Sequence, residues 1–353
     1  MGRTLKKRIC NNNYAVSDIV AIIFVLMIAT GTISAVLYWS IPTINDKKAY
    51  NRSDSVVMQL GMLSDVLEDG VIEQGFNSSK NIKLTADAGQ ILLDPDGSRL
   101  VIYYSLDENF DFHVNGFDDT NEKEFSITIE KGSADSLTIN YLNDDDSEDL
   151  NIPPPESSDP ITDQIRIDIK NIGGEVIGRI WLFDLGSINY ETQSSQSNYK
   201  VKAENGGTIF QMNNNAIVEN KPNIYFKNNF LFMNIIQINT TGGGVFWDTS
   251  NTLGGNYRSL YLKDIHVDAP TIRFNTKLNS TKICESKASI NKINLQIIAD
   301  KVTKEAYESY FKLYLNFEKY ESGNGEGTLY FNQGSDFDFI LIQSICDIEA
   351  SIT

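Results

Sequence analysis

The longest apolar run of the chain lies near its N-terminus. From Ile19 to Ile41 there are 23 consecutive residues without a charge, most of them Ile, Val, Leu, Ala, Phe and Met. A helix rises about 1.5 Å per residue, so this run can cross the hydrocarbon core of a bilayer, which is about 30 Å thick. Tyr38 and Trp39 lie near its end, where aromatic residues favour the membrane interface. The pattern predicts a transmembrane helix over residues 15–42.

Apolar residues then recur at intervals of three and four positions, which is the spacing of an amphipathic helix. This second helix is predicted over residues 43–75. Pro42 lies between the two helical patterns, and we expect it to kink or break them, because proline lacks the backbone donor of an interior helical residue. The apolar face of the second helix contains Val56, Val57, Leu60, Leu63, Val66 and Leu67.

From about Lys80 the hydrophobic period changes to two, which is typical of strands that are buried on one side. A first β-rich unit is therefore predicted over residues 76–150, and Asp94–Ser98 supplies a strong turn signal. The order of one helix followed by a run of strands favours a helix packed across an antiparallel sheet. The predicted strands are residues 81–85, 90–94, 99–104, 110–114, 125–129 and 136–141.

A change in composition follows this unit. Residues 143–149 are rich in Asp and Glu, and residues 153–160 contain four prolines. Clustered acids repel each other and prolines stiffen the chain, so residues 151–163 are interpreted as a solvated linker. Carboxylate oxygens also bind Ca²⁺, so a calcium site is the alternative. Because the acidic stretch lacks the central Gly and terminal Glu of an EF-hand loop, the linker is the favoured interpretation.

A second β-rich unit is predicted over residues 164–353, with a hairpin turn at Gly173–Gly174. One helix is expected near residues 303–314, with Thr303 as its cap and a buried face of Ala306, Tyr310, Phe311 and either Leu313 or Tyr314. The predicted strands are residues 165–170, 176–183, 208–212, 216–218, 223–226, 231–239, 258–262, 271–275, 294–298, 328–331 and 337–345. The expected fold class is α+β: a transmembrane helix continuing to an amphipathic helix, then mostly antiparallel, β-rich extracellular domains.

The charges that flank the apolar run predict its orientation. Arg3, Lys6, Lys7 and Arg8 precede it, and no acidic residue comes before Asp18. Positive flanks stay in the cytoplasm, so residues 1–14 are expected inside and the bulk of the chain outside the cell. The apolar run is longer than the core of a released signal peptide, which has about 7–15 residues. A plain, uncleaved signal anchor fits the composition equally well.

The N-terminal residues carry a resemblance to a known family. A basic leader, the polar patch at residues 11–13 and then AVSDIVAIIFVLMI from Ala15 resemble the N-terminus of archaeal type IV pilin-like proteins, which have class III signal peptides. The mature chain of that family opens with A/G-V-S-(P/D/E)-V-I-G; residues 15–19 match this motif, whereas Val20 and Ala21 depart from it. Tyr14 stands where the family often has a small residue.

The resemblance implies partners and processing. A prepilin peptidase would cut between Tyr14 and Ala15 and leave the helix attached. Other pilin-like subunits and the pilus assembly machinery would then be partners, besides the membrane. At the start of the mature helix, Asp18 would pair with the freed amino group of a neighbouring subunit, or it would simply complement the helix dipole with Ser17 as a cap. The strand–helix–strand order of residues 293–331 carries a weaker resemblance to the same family.

Charge and cysteine content agree with an extracellular domain. The net charge is −17, and removal of the four positive charges of residues 1–14 makes it −21. An acidic chain disfavours binding to nucleic acid. Cys284 and Cys346 would remain after cleavage, and they form either a disulfide, slightly favoured, or two buried thiols. The acceptor sequons at Asn51, Asn77, Asn239 and Asn279 suit a glycosylated surface protein.

Catalytic motifs are not evident in the sequence. His113 and His266 are the only histidines, each alone in a strand-like stretch, so no zinc motif, catalytic elbow or P-loop is present. No cofactor or metal is expected. The favoured interpretation is a non-enzymatic, archaeal pilin-like cell-surface protein, which is either a minor or specialised pilus subunit or held in the membrane. The alternatives are a single-pass extracellular adhesion module that does not polymerise and a surface enzyme with an unrecognised site.

Overall fold

The computed structural model describes residues 3–72, 79–85, 89–94, 97–115, 126–141, 147–151, 165–240, 258–262, 271–320 and 327–352 of the chain. The helices are α1 Arg3–Ile72 and α2 Lys301–Leu315. The strands that precede residue 152 are β1 Ser79–Thr85, β2 Gly89–Asp94, β3 Arg99–Ser105, β4 Asp111–Asn115, β5 Ser126–Lys131, β6 Ser136–Tyr141 and β7 Ser147–Asn151. Those that follow are β8 Ile165–Lys170, β9 Val176–Asp184, β10 Ser187–Gln193, β11 Asn198–Glu204, β12 Gly207–Met212, β13 Asn215–Asn220, β14 Ile224–Lys227, β15 Phe230–Thr240, β16 Arg258–Leu262, β17 Thr271–Ile290, β18 Ile293–Ile298, β19 Glu318–Lys319, β20 Leu329–Phe331 and β21 Phe337–Ile352.

The two helices that were predicted to meet at Pro42 form the single helix α1. Proline removes one backbone hydrogen bond, and side-chain hydroxyls near it can compensate. The Thr43 hydroxyl donates to the carbonyl of Trp39 at 3.0 Å, within the turn that Pro42 disturbs. Of the two outcomes predicted at Pro42, the break is therefore wrong and the kink stays a prediction. The prediction of a transmembrane helix that continues to an amphipathic helix is confirmed.

The chain divides into two compact units. The first contains residues 1–51 and the short turn 193–197. In this unit the Ser194 hydroxyl donates to Asp46 at 2.5 Å and accepts from the backbone N–H of Ser197 at 2.9 Å. The second unit contains residues 52–192 and 198–353 and holds the sheets.

Among the described residues, the strands form four sheets, mostly antiparallel. The five-stranded sheet has the order β1-β17-β21-β15-β14, and its β15–β21 pair is parallel. The six-stranded sheet has the order β13-β12-β11-β10-β2-β16, and the eight-stranded sheet has the order β19-β20-β18-β3-β9-β8-β6-β7. Strands β4 and β5 form a separate hairpin.

These pairings correct the predicted division into two β-rich units. Strands β1, β2 and β3 pair with β17, β10 and β9, so strands from both sides of the acidic linker share the same sheets. The segment that was predicted as a linker follows β7 and precedes β8, which lie on either side of β6 in one sheet, and residues 152–163 of it lie outside the described residues. Strands β7, β10, β11 and β19 were not predicted.

The buried side chains form three cores. The first core lies between α2, the five-stranded sheet and one face of the eight-stranded sheet, and includes Tyr104, Trp181, Phe311, Phe331 and Phe339. The second core joins α1 to the six-stranded sheet and the other end of the five-stranded sheet, and includes Val56, Leu60, Ile91, Tyr190 and Ile348. The third core fills the space between the eight-stranded sheet and the β4–β5 hairpin, and includes Val101, Tyr103, Phe112, Leu137 and Ile167.

The amphipathic part of α1 packs as its pattern predicts. Val56, Val57, Leu60 and Leu63 are buried in the second core, which confirms these four members of the predicted apolar face. Val66 is half-buried, and the side chain of Leu67 lies outside the described residues. Gly61 permits the close approach of this helix, because a Cβ added there would lie 2.4 Å from the side-chain nitrogen of Asn220, at the end of β13.

Helix α2 corrects two details of the prediction. Its N-cap is Asp300, whose carboxylate accepts from the backbone N–H groups of Val302 and Thr303, so Thr303 is not the cap. Leu313 and Tyr314 are 76% and 57% exposed and do not belong to the buried face. Tyr307 and Leu315 are buried instead, beside the correctly predicted Ala306, Tyr310 and Phe311.

The turn between β9 and β10 depends on Gly186. Its φ is +62°, and a Cβ there would lie 2.0 Å from the carbonyl oxygen of Ile238. We expect Gly186→Ala to lower the free energy of unfolding by at least about 2 kcal/mol, because left-handed backbone strain and a backbone clash add up. Chemical denaturation of the full-length protein in detergent measures this loss.

Gly174→Ala is the matched control for this substitution. Gly174 has φ of +80°, but nothing lies within 4 Å of an added Cβ. This variant should therefore lose only the stability that the backbone strain costs. Equal losses in the two variants would contradict the role of close packing at Gly186.

Candidate functional site: the apolar segment and the buried polar clusters

The part of α1 that the sequence predicts to span a membrane exposes its apolar side chains. The large apolar side chains between Ile19 and Ile44 are 45–85% exposed, with Tyr38 at 85% and Trp39 at 73%. The most apolar window of the helix has a mean hydropathy of 2.6, and none of it is buried. Among the described residues, α1 is the one helix long and apolar enough to cross a membrane.

This exposure separates the segment from an ordinary core helix. A core helix with the same composition would be mostly buried, because each large apolar side chain left in water forgoes about 1.5–3 kcal/mol. Apolar surface that extends over more than twenty residues marks a membrane or interaction site. The hydroxyls of Thr30 and Thr32 donate to the carbonyls of Leu26 and Ala29, so these polar groups are satisfied within the helix. The segment can therefore anchor in a membrane.

The residues predicted for processing and assembly lie at the start of α1. Tyr14, Ala15, Ser17 and Asp18 are all helical. Their side chains fall outside the part of the structure that is described, so the cleavage site and the two roles weighed for Asp18 stay predictions.

Three of the four sequons lie in described regions. Asn51 is exposed on α1 and Asn279 is exposed at a register shift of β17. Asn239 is also exposed, and its amide donates to Asp347 at 3.0 Å, a bond that a glycan on this nitrogen would compete with. Asn77 lies outside the described residues. Glycosylation stays a prediction.

The predicted disulfide is not formed. Both Cys284 and Cys346 are free thiols, although they lie on neighbouring strands. Cys346 pairs with Leu278, whereas Ile283, next to Cys284, pairs with Ile342. The two cysteines are thus offset by about four residues, or roughly 13 Å, whereas a disulfide requires Cα atoms within about 7 Å. Burial raises the pKa of the Cys284 thiol to about 11 and that of Cys346 to about 12, which keeps both protonated.

A buried ionic network joins the eight-stranded sheet to the five-stranded sheet. Arg179 on β9 donates from Nε to Asp168 at 2.7 Å and from Nη1 to Glu285 on β17. The Tyr104 hydroxyl donates to the same carboxylate, and Trp181 donates to Tyr104 at 3.2 Å. A register shift of β17 next to Glu285 lets this side chain point into the first core.

The charges of this network balance. Arg166 also contacts Asp168, at 3.1 Å, so two guanidinium groups face two carboxylates. Burial, and next the negative charge of Glu285, raise the pKa of Tyr104 well above its ordinary value, so it acts as a hydrogen-bond donor and not as an acid. The network is suited to holding two sheets together. Its carboxylates, Tyr104 and Trp181 are buried, whereas the side chains of Arg179 and Arg166 are 18% and 34% exposed.

A second buried cluster contains a serine, a lysine and a glutamate. The ammonium group of Lys202 lies 2.7 Å from the Ser98 hydroxyl and 2.7 Å from Glu204, and the serine donates to the same carboxylate at 2.9 Å. A serine–lysine pair can serve as nucleophile and base when the lysine is neutral and the serine meets substrate. Here the lysine is ion-paired, the serine donates to a carboxylate, and the exposure of Ser98 is 0%. The geometry is that of a structural ion pair.

A third cluster surrounds His113 between the β4–β5 hairpin and the eight-stranded sheet. The Nδ1 atom of His113 lies 3.3 Å from the Tyr103 hydroxyl and its Nε2 lies 3.4 Å from Glu130. The ring packs edge-on against Tyr320, with centroids 4.9 Å apart. Beside it, Lys292 on the loop before β18 donates to both oxygens of Asp111, at 2.9 and 2.6 Å. These contacts fix the hairpin to the sheet.

Burial lowers the pKa of His113 below its ordinary value of 6.5, and the nearby Glu130 offsets only part of this effect. The unfolded chain therefore binds a proton more readily than the folded one below about pH 6.5. We expect the free energy of unfolding to have its highest value above this pH. It should fall as the pH drops towards the lowered pKa of His113, by up to about 1.4 kcal/mol per pH unit.

His113→Gln tests this expectation, because glutamine can still donate to Glu130 but does not titrate. Denaturation midpoints between pH 5 and 7.5 should decline less steeply for the variant than for the unaltered protein. Identical pH dependence in both proteins would assign the decline to other groups.

The three polar clusters could not be predicted from the sequence, and the reason is the same for each. Their members come from distant parts of the chain; Arg179 and Glu285 are 106 residues apart. His113 was singled out only as an isolated histidine, whereas the structure places it beside Glu130. In the described part of the chain, no group of three or more His, Cys, Asp or Glu side chains is arranged to hold a metal ion.

Comparisons with known proteins do not assign this chain to a family. No protein-family model, curated protein or solved structure matches the chain.

Proposed function

We propose that this chain is an archaeal type IV pilin-like cell-surface protein, either a minor or specialised pilus subunit or a protein held singly in the membrane, without enzymatic activity. Its leader, residues 1–14, lies in the cytoplasm and is removed by a prepilin peptidase. The apolar part of α1 stays in the membrane or packs against the helices of other pilin-like subunits. The sheets lie outside the cell.

One observation carries this proposal: the apolar segment is unburied along its whole length and follows directly on a basic leader. A basic flank favours the cytoplasmic side, and an uncovered apolar helix requires lipid or other helices around it. The motif at residues 15–19 favours the pilin-like reading over other anchors.

The N-terminal sequence and the intact mass of the protein, extracted from its native membrane, test this proposal. A chain that begins at Ala15 supports processing by a prepilin peptidase. A chain that begins beyond Pro42 would mean a released, secreted protein and would overturn the proposal. The intact mass also reports any glycan at the sequons.

The second candidate is a single-pass adhesion module that does not polymerise. It is favoured by the departures from the pilin motif at Tyr14, Val20 and Ala21. A chain that begins at Met1 or Gly2 would support this candidate, because the leader would then remain as the cytoplasmic flank of a plain signal anchor.

A further inference from the structure

Two half-buried tyrosines, Tyr320 and Tyr330, lie at one edge of the eight-stranded sheet. Tyr330 is on β20, and Tyr320 directly follows the edge strand β19. Their ring centroids are 4.4 Å apart, so the two rings form one aromatic surface, here called the tyrosine shelf. A half-buried tyrosine offers an apolar ring to a ligand and keeps a hydroxyl for hydrogen bonds.

Polar side chains flank the shelf at both ends. At the sheet edge, the Tyr330 hydroxyl donates to the exposed carboxylate of Glu318. At the other end, the charges of Lys292 and Glu130 act on the Tyr320 hydroxyl. The side chain of Lys292 is 18% exposed and that of Glu130 is 40% exposed. The shelf therefore has both donors and acceptors of hydrogen bonds around it.

A buried acceptor, Asn294 on β18, lies beside the shelf. Asn294 is 1% exposed, and its Oδ1 atom has no hydrogen-bond partner in the described part of the chain. Asn294 pairs with Tyr330, so the two side chains share one face of the sheet. This face is directed towards the β4–β5 hairpin, because Gln296, two residues further on, donates to the carbonyl of Val114. A buried acceptor without a donor is costly, and a water molecule that a ligand holds in place would supply the donor.

We propose that the tyrosine shelf binds a glycan through one pyranose ring. A pyranose has a face of C–H groups, which stacks on the two tyrosine rings, and a rim of hydroxyls that both donate and accept. Hydroxyls of the rim donate to Glu318 and Glu130 and accept from the Tyr320 hydroxyl. One bridging water connects the rim to Oδ1 of Asn294. The site lies within the sheets, so it depends neither on how α1 is anchored nor on whether the chain polymerises.

The arrangement of charges favours a sugar over an organic cation. The carboxylates of Asp111, Glu130 and Glu318 lie around the shelf, and aromatic rings beside carboxylates also attract cations. However, Lys292 donates to both oxygens of Asp111, at 2.9 and 2.6 Å, so the protein supplies its own ammonium group there. The other two carboxylates lie at opposite ends of an apolar surface. Such spaced polar groups suit a ligand with several hydroxyls better than a single charge.

Saturation-transfer NMR of the full-length protein tests the proposal, with the methyl glycosides of mannose, glucose, galactose and N-acetylglucosamine as probes. The protein is kept in a polyoxyethylene detergent, because alkyl maltosides carry sugar headgroups and phosphocholines carry a cation. These probes have about 13–16 non-hydrogen atoms, which corresponds to a Kd of about 0.3–1 mM at the affinity per atom of ordinary ligands. We expect at least one probe to bind in this range, with one C–H face closest to the protein.

Variants of the shelf assign this binding to its residues. Tyr330→Ala removes one of the two rings and should raise the Kd at least about fivefold, whereas Tyr330→Phe keeps the ring and should stay within about threefold. Glu318→Gln weakens a charge-assisted hydrogen bond and should raise the Kd at least about threefold. Tyr225→Ala is the matched control and should leave the Kd unchanged. Tyr225 is 46% exposed and stacks on Phe232 at 4.9 Å, outside the shelf.

Several results would overturn the proposal. The first is the absence of binding by all four glycosides up to about 20 mM, well above the expected Kd. The second is a Kd that neither Tyr330→Ala nor Glu318→Gln raises; the latter alters a single exposed group and carries the test if Tyr330→Ala does not fold. The third is tighter binding of tetramethylammonium than of every glycoside, with a steep loss of affinity in salt, which would identify a cation site instead.

Discussion

Substitution of two isoleucines by arginine in the middle of the apolar segment is expected to release the chain from membranes. Ile28 and Ile33 are 64% and 58% exposed in α1. Arginine at the centre of a membrane helix costs about 2.5–3.5 kcal/mol, whereas isoleucine contributes about −0.3 to −0.6 kcal/mol, so Ile28→Arg with Ile33→Arg changes insertion by roughly 6–8 kcal/mol. The protein should move from the alkaline-resistant membrane fraction to the soluble or aggregated fraction.

Ile172→Arg is the control for this experiment. Ile172 is 92% exposed in the turn between β8 and β9, outside the apolar segment. Its substitution by arginine should leave the membrane fraction unchanged. Retention of the double variant on membranes would show that something other than α1 holds the chain there.

Arg179→Met is expected to destabilise the sheets strongly. Arg179 contacts Asp168 and Glu285, whose side chains are only 8% and 10% exposed. Methionine would fill a similar volume but leave Glu285 without its guanidinium partner. Breaking a buried ion pair on one side costs about 3–5 kcal/mol. Chemical denaturation, followed by tryptophan fluorescence, measures the loss.

Two further variants define what this loss means. Lys301→Met removes one partner of the Lys301–Glu305 pair, which is 86% and 59% exposed, and should cost less than about 0.5 kcal/mol. The combined variant R179M/E285Q also removes the negative charge of Glu285, which would otherwise be buried without a partner. It should recover part of the stability, because a buried network can be replaced by neutral groups at little cost. No recovery would indicate that packing, and not charge, dominates at Arg179.

The local spacing of apolar and polar residues predicts most helices and strands of this protein. The three- and four-residue spacing of Val56, Leu60 and Leu63 identified the face of α1 that is buried, since these residues contact the sheets directly. Alternation likewise located most strands to within a few residues. Pro42 misled the prediction, because a single lost hydrogen bond does not end a helix whose other residues continue it.

The pairing of strands could not be predicted, because alternation shows that a strand has two faces but not which strand lies beside it. Ile102 pairs with Trp181 on one side and with Leu295 on the other, and neither is near in sequence. The acidic, proline-rich segment looked like a boundary between domains. The strands before and after it, β7 and β8, belong to one sheet and both pair with β6, and a composition break carries no information on that arrangement.

The candidate site shows the same contrast between features of one continuous segment, which can be predicted, and contacts between distant segments, which cannot. The apolar segment is contained in one continuous stretch of sequence, so its exposure agrees with prediction. The network at Arg179 is assembled from four strands, and Asp168 alternates with isoleucines in a pattern that suggests a solvent-facing position. Its carboxylate instead contacts Arg166 and Arg179, an arrangement that only the three-dimensional structure reveals.

The order of strands has a consequence for the timing of synthesis. Leu295, a partner of Ile102, leaves the ribosome 193 residues later, and β21, in the interior of the five-stranded sheet, ends at Ile352. At about 5–20 residues per second the early strands wait for roughly 10–50 s before their neighbours exist. The apolar helix emerges before these strands and must insert or associate while the sheets are still unformed. A net charge of −17 helps to keep such a waiting chain from aggregating.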